Sequence, residues 1–410
     1  MDVNLTYGKG HLTLRLPSGI RIDTFAPAIA KQGVDFARFS SAMEESGGFE
    51  FLSGETPLFV VNDGYRRTPT AQILAWLDRF DGTLLDRSDF LIATGSHAAP
   101  KPEHYETIFG PHYARIRNRV KVHVATDLGS MAAVGTDGFG EEVYLNKLVS
   151  EHRRIFVIGS VEPHYFAGYT GGRKSIFPGL IDLKSIERNH NLANSLEAQP
   201  LRLAGNPVAD ELASLMALLD PEKFFSVQIV VDARGNMADL FAGSLQESFE
   251  RSVAMAESIY AHRVEKLYDA VLCELISPLD KNLYQAQKAL ENCQDAVVDG
   301  GSAVVFSACE EGVGSQYFFE QASGWDRERN ESVDGVQRFG SHKLSRVNAM
   351  TRRIDVRLHS ELDDDTVRRV FYEPLADVNE YIGSRAEGKT NYRLAVVHDA
   401  GHTVLRRQTT

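Results

Sequence analysis

The chain has 410 residues, of which 43% are hydrophobic and 24% charged; this is ordinary globular usage, with length enough for two domains that each bury a substantial core. Its 44 Lys and Arg against 56 Asp and Glu leave a formal charge of −12, which excludes nucleic acid as a partner because a phosphate backbone demands a basic surface; a small anion met by local cations stays allowed. No apolar run is long enough to span a bilayer, the first residues lack the basic-then-apolar order of a secretion signal, and Cys273, Cys293 and Cys309 show no metal-site spacing, so no membrane partner and a reducing, cytoplasmic compartment are expected.

In chain order, short apolar runs predict strands at 12–16, 57–61, 90–93, 120–124, 155–158 and 227–231, and an amphipathic pattern predicts a helix within 240–257. The charged stretch 261–266 then marks a domain boundary, giving an N-terminal domain of 1–265 and a C-terminal α/β domain of 266–410. In the second part the pattern predicts strands at 270–275, 303–307, 354–358 and 393–398, with helices at 282–292 and 363–371. The expected fold is a two-domain mixed α/β protein with the active site in the interdomain cleft.

Three strand-to-loop junctions carry chemistry. The strand at 57–61 runs into Asn62-Asp63-Gly64-Tyr65-Arg66-Arg67-Thr68-Pro69, where two arginines suit a carboxylate and Thr68-Pro69 reads as an N-cap followed by proline at the first helical position. A helix start with a surface ion pair explains the same residues more plainly. The strand at 90–93 leads to His97, which taken singly reads as a hydrogen-bonded structural histidine. The strand at 155–158 leads into a loop holding His164, Gly168, Gly171, Gly172, Arg173 and Lys174, followed by His190. Gly168 to Ser175 nearly forms a P-loop, but Arg173 stands where the second glycine belongs and would obstruct the amides that wrap phosphates. What survives is a turn at Gly171 and Gly172 able to approach one anion, with Arg173 and Lys174 supplying charge; a tight turn with two solvated cations is the bland alternative.

Together with Tyr284-Gln285-Ala286-Gln287-Lys288, these pieces resemble the nickel-dependent lactate racemase family, the nickel-pincer nucleotide racemases and epimerases of 2-hydroxy acids. The resemblance rests on Asp63, Arg66, Thr68 and Pro69; on Thr94-Gly95-Ser96-His97; on His164 with Lys174 ten residues on and His190 sixteen beyond; and on Gln285 with Lys288. It implies that Lys174 carries the nickel-pincer nucleotide covalently and that His190 ligates the nickel. It also implies that His97 and His164 are the paired acid/base residues, and that the reaction is a proton-coupled hydride transfer through a 2-oxo acid. Arg66 and Lys288 would then hold the carboxylate, Gln285 would donate a hydrogen bond, and Asp63 would orient a neighbour. A racemase works from both faces of one carbon, and two groups of near-neutral pKa meet that need. The implied partners are a small 2-hydroxy acid and the enzymes that build the cofactor.

Two positions depart from the family pattern: Arg67 replaces a proline, and Ala98 replaces the cation expected after His97. Both lie near the implied substrate, so an acid other than lactate, a sugar acid included, is expected. Two readings outside the family compete: a zinc hydrolase built on His97, His164 and His190, and a non-catalytic carrier of the cofactor that needs only Lys174 and His190.

Overall fold

The computed structural model describes residues 2–336, 338 and 340–408. The chain forms two compact units, Ala28–Ile259 and a discontinuous one of Met1–Pro27 with Tyr260–Thr410. Strands β1 (Asp2–Tyr7) and β2 (Gly10–Arg15) form an antiparallel hairpin, with Leu5 opposite Leu12. Strand β3 (Arg21–Phe25) follows. The chain passes from one unit to the other near Tyr260, and residues 1–27 belong with the C-terminal unit, because β3 pairs with a strand 372 residues downstream.

The Ala28–Ile259 unit is built on β4 (Leu58–Asn62), β5 (Asp89–Ala93), β6 (Val120–Val122), β7 (Ile155–Ser160), β8 (Phe224–Val231) and β9 (Met237–Ser244), in the spatial order β9-β8-β7-β4-β5-β6. All neighbours are parallel except β9 against β8. A parallel sheet covered on both faces needs strands apolar on both sides, which is why Leu58, Phe59, Val60 and Val61 are an unbroken run and are completely buried.

The helix expected within 240–257 begins later. Residues up to Ser244 continue β9, and the helix spans Leu245–Tyr260. Leu240 and Ala242 are buried on alternate positions, so the period is two before it becomes 3.6. Helix α1 (Thr70–Phe80) follows β4, and α2 (Leu183–Asn191) follows the glycine-rich loop.

The other unit carries β10 (Tyr268–Glu274), β11 (Val297–Phe306), β12 (Asp355–His359), β13 (Glu373–Pro374) and β14 (Arg393–Val397), ordered β13-β12-β11-β10-β14-β3 and parallel throughout. Helix α3 (Leu283–Cys293) connects β10 to β11, and α4 (Ser341–Thr351) precedes β12. Among the described residues no helix is long and apolar enough to cross a membrane. Cys273, Cys293 and Cys309 are buried free thiols.

Candidate active site

In the Ala28–Ile259 sheet the chain leaves β4 toward β5 and β6 on one side, while β7, β8 and β9 lie on the other. The carboxyl ends of β4 and β7 therefore flank a topological switch point, where loops diverge and leave a crevice. Hydrogen bonds cross it. Arg66 Nη1, beyond β4, donates to Glu162 Oε1, beyond β7, at 3.0 Å, and Thr68 Oγ1 lies 2.8 Å from Ser160 Oγ. Thr68 is therefore no helix cap: α1 starts at Thr70 without a side-chain cap, and the hydroxyl is spent on Ser160 instead.

A cavity of about 120 Å³ opens at this crevice, and Asp63, Arg66, His97, His164, Lys174 and His190 all line it, together with Gly171. Its wall comes from the Ala28–Ile259 unit alone. Histidines 26 to 93 residues apart in sequence converge: His97 and His164 follow β5 and β7, which are parallel to β4 and end at the same edge, and α2 supplies His190.

Hydrogen bonding sets the tautomer of each ring. His97 Nδ1 lies 2.5 Å from Asp63 Oδ2; its N–H donates to the carboxylate, which leaves the lone pair of the neutral ring on Nε2. His190 Nδ1 donates to the Ile186 carbonyl at 2.9 Å, one turn back on α2, again leaving Nε2 with its lone pair. His164 differs: its Nδ1 accepts the Ala167 N–H at 3.2 Å, so the neutral ring carries its proton on Nε2. Burial alone raises the Asp63 carboxyl, but His97, Arg66 and the Tyr65 N–H outweigh it and hold the group below the usual carboxylate range.

The glycine-rich turn owes its composition to packing. Gly171 sits at φ +75, and a Cβ there would meet Ser160 O at 2.7 Å and Gln228 Oε1 at 2.8 Å. Gly172, at φ +53, would drive a Cβ to 2.6 Å from the Phe249 ring, and its N–H donates to Gln228 Oε1 at 2.9 Å. Close approach thus forbids a side chain at either position. Arg173 follows Gly172 away from the cavity: it lies outside the wall, with its guanidinium 5.0 Å from the centre of the Phe249 ring. Burial pushes it down to about 10, with Asp210 opposing. Lys174, by contrast, lines the cavity, its Nζ 5.5 Å from the centre of the Phe166 ring.

Arg67 and Ala98 are also absent from the cavity wall. Gln285 and Lys288 lie on α3 in the other unit. Sequence reasoning missed Glu162, Asn62 and Ser175. Glu162 is the buried partner of Arg66, and Asn62 Oδ1 and Ser175 Oγ are buried at the cavity without hydrogen-bond partners among the described residues. Asn62 and Ser175 adjoin the singled-out Asp63 and Lys174, which is the signal that would have found them.

The lactate racemase N-terminal domain matches residues 7–200 and the lactate racemase C-terminal domain matches residues 271–357. The chain belongs to the lactate racemase family. It is 27% identical over 251 residues to the lactate racemase of Thermoanaerobacterium thermosaccharolyticum, covering 61% of this chain and 57% of that relative. It is 25% identical over 284 residues to the lactate racemase of Lactiplantibacillus plantarum, covering 68% and 66%. The match thus spans less than two thirds of either relative. The fold is that of the lactate racemase apoprotein from T. thermosaccharolyticum, with a TM-score of 0.86 at 22% identity over 99% of this chain and 100% of that one. A Thermotoga maritima protein aligns with a TM-score of 0.70 at 16% identity over 93% of this chain and 100% of that one. The family fold therefore extends beyond the matched sequence segments.

Proposed function

We propose that this protein is an isomerase, a racemase or epimerase of a 2-hydroxy acid that depends on a nickel-pincer nucleotide. The observation that carries the reading is the gathering of His97, His164, Lys174 and His190 into one small cavity at the switch point. The site residues fit such a cofactor: His190 carries its Nδ1 proton toward Ile186 and so presents Nε2 as a donor to nickel, Lys174 offers an amine, and the buried polar atoms of Asn62 and Ser175 lack hydrogen-bond partners among the described residues. When bound, the cofactor would supply the acceptor and donor of hydride at the substrate's C2.

The protein's own residues manage protons and charge. His97 takes the hydroxyl proton at Nε2, while Asp63 holds the ring and stabilises the imidazolium that forms. His164 serves the opposite face; it starts with its proton on Nε2, so one ring is ready to accept and the other to donate a hydrogen bond. Arg66, steadied by Glu162, stabilises oxygen whose charge changes. Gln285 and Lys288 are assigned to the substrate carboxylate. We assign an acid other than lactate on account of Arg67 and Ala98, a soluble cytoplasmic setting on account of the reduced thiols, and dependence on the cofactor-building enzymes.

A carrier would need Lys174 and His190 but would have no use for the Asp63–His97 dyad. The zinc reading loses support because, among the described residues, no three His, Cys, Asp or Glu side chains are arranged to hold a metal. The decisive test is cofactor-loaded enzyme against single-enantiomer 2-hydroxy and aldonic acids, following optical purity with and without nickel. Nickel-dependent inversion, abolished by His97→Ala or His164→Ala, is expected. Lactate as the best substrate would overturn the substrate assignment, and no inversion by fully loaded protein would overturn the activity.

A further inference from the structure

Strand β8 reads Phe-Phe-Ser-Val-Gln-Ile-Val-Val and is buried along its whole length, yet it carries a glutamine near its centre. Successive side chains of a strand point to opposite faces, and Phe225, Val227, Ile229 and Val231 enter the apolar core on one of them. Gln228 therefore lies on the other face, where the Ser226 hydroxyl meets that of Ser248 on the helix Leu245–Tyr260 and where the glycine-rich turn packs. Gln228 is 0% exposed.

Its surroundings leave room for one oxygen. Gln228 pairs with Gly159 of β7 in the parallel register, and a Cβ on Gly159 would come 2.9 Å from Gln228 Oε1. A Cβ on Gly171 would come 2.8 Å from the same atom. Glycine at both positions leaves that oxygen a clear path to the Gly172 N–H, which it accepts at 2.9 Å. The other end of the carboxamide gains nothing: Nε2 is buried and has no hydrogen-bond partner among the described residues. An unpaired buried amide is costly, and an apolar side chain of similar length would fill the face without that cost. What glutamine adds over such a side chain is an acceptor for one backbone N–H of the turn.

Gly172 opens the short turn Gly172–Ser175, and Lys174 stands two residues further on, where it lines the cavity. Within the turn the Lys174 N–H donates to the Gly171 carbonyl at 3.0 Å, and just before it the Thr170 N–H donates to the Glu162 carbonyl at 2.8 Å. Those bonds tie the turn to itself and to the loop that leaves β7; the bond from Gly172 to Gln228 ties it to the middle of β8. We propose that Gln228 is a positioning residue for Lys174: by holding the Gly172 N–H against β8 it fixes the turn and keeps the Lys174 amine in the cavity. The proposal rests on the reading of Lys174 as the residue that retains the cofactor. Gln228, Gly172 and Lys174 all belong to the Ala28–Ile259 unit.

The test compares Gln228→Met, which removes the acceptor, and Gln228→Glu, which keeps an acceptor oxygen and removes the unpaired amide, with the unchanged full-length chain. On cofactor-free protein, trace acetylation by acetic anhydride reads the Lys174 amine against the exposed Lys31, with the sites resolved by mass spectrometry. The ratio of Lys174 to Lys31 acetylation is expected to rise about fivefold in Gln228→Met, the factor that one hydrogen bond carries, because a loosened turn opens the amine to the reagent. In Gln228→Glu it is expected to return close to that of the unchanged chain. After exposure to the cofactor-building enzymes, the fraction of chains carrying cofactor on Lys174 is expected to fall in Gln228→Met and to be restored in Gln228→Glu. An unchanged ratio in a folded Gln228→Met overturns the proposal, whatever its melting temperature, because a residue that only packs lowers stability without moving the amine. A Gln228→Glu that behaves like Gln228→Met overturns it too, since the acceptor oxygen is then not what acts. If Gln228→Met does not fold, hydrogen exchange of the Gly172 amide in the unchanged chain decides: exchange slowed at least about 100-fold supports the proposal, and exchange at the rate of an unprotected amide overturns it. If the unchanged chain retains no cofactor on Lys174, the functional reading fails, and the acetylation ratio alone decides the positioning role.

Discussion

At the scale of single residues, the three cavity histidines differ through what each Nδ1 touches: a carboxylate at His97, a helix carbonyl at His190 and a backbone N–H at His164. The first two partners accept a proton-bearing nitrogen, and the third refuses one. Protonating His164 would place an N–H against the Ala167 N–H, so its cationic form has to break that contact. Asp63→Asn removes the charge that holds and supports His97 while leaving an acceptor of the same shape. Activity is expected to fall about 10- to 100-fold, as for loss of an orienting partner, measured as kcat of loaded enzyme. The same variant tests the lowered pKa of Asp63. A carboxyl lowered by folding contributes stability above its unfolded pKa, and that stability is lost as pH falls through the folded value. The gap in melting temperature between the unchanged chain and Asp63→Asn should therefore close as pH drops below about 4. A constant gap across that range would show that the dyad does not lower Asp63.

At the scale of elements, the glycine-rich turn tolerates no side chain at Gly171 or Gly172. Gly171→Ala combines a left-handed backbone with a Cβ 2.7 Å from both Ser160 O and Val161 Cγ2, so the turn must move. The expected cost is about 1–3 kcal/mol from the backbone alone, seen as a lower melting temperature. Because Lys174 lies three residues further in the short turn Gly172–Ser175, weaker cofactor retention should accompany it. Gly235→Ala is the control: its φ is also positive, at +80, but a Cβ there meets nothing within 4 Å, so strain without a clash should leave cofactor retention intact.

At the scale of the whole molecule, the C-terminal unit depends on the first 27 residues. β3 pairs with β14 along its whole length, and Asp23 receives the Tyr268 hydroxyl and the Arg393 guanidinium, each at 3.0 Å. A chain lacking residues 1–27 exposes β14 as an edge strand and loses the hairpin residues Val3, Leu5 and Leu14 that pack on that sheet. Its C-terminal unit is expected to melt at a lower temperature while the Ala28–Ile259 unit keeps its own transition. Calorimetry that finds both transitions lowered alike would contradict this division of the fold.

The sequence by itself determined the class of the protein, most strands of its two six-stranded sheets and the loops that carry its chemistry. Those are local properties: an apolar β-branched run such as Val60-Val61 or Ile155-Phe156-Val157-Ile158 reads as a buried strand wherever it sits, and motif spacing needs no coordinates. It also picked out all six charged or titratable candidates that line the cavity. The tertiary structure decided which loops meet. Arg66 finds Glu162 across 96 residues and Thr68 finds Ser160 across 92, so one arginine joins the cavity wall and one supposed helix cap becomes a crossing hydrogen bond. It turned Arg173 toward Phe249, chose each histidine's tautomer and returned residues 1–27 to the C-terminal unit. No periodicity records these outcomes, because strand order and side-chain partners depend on contacts between segments far apart in the chain.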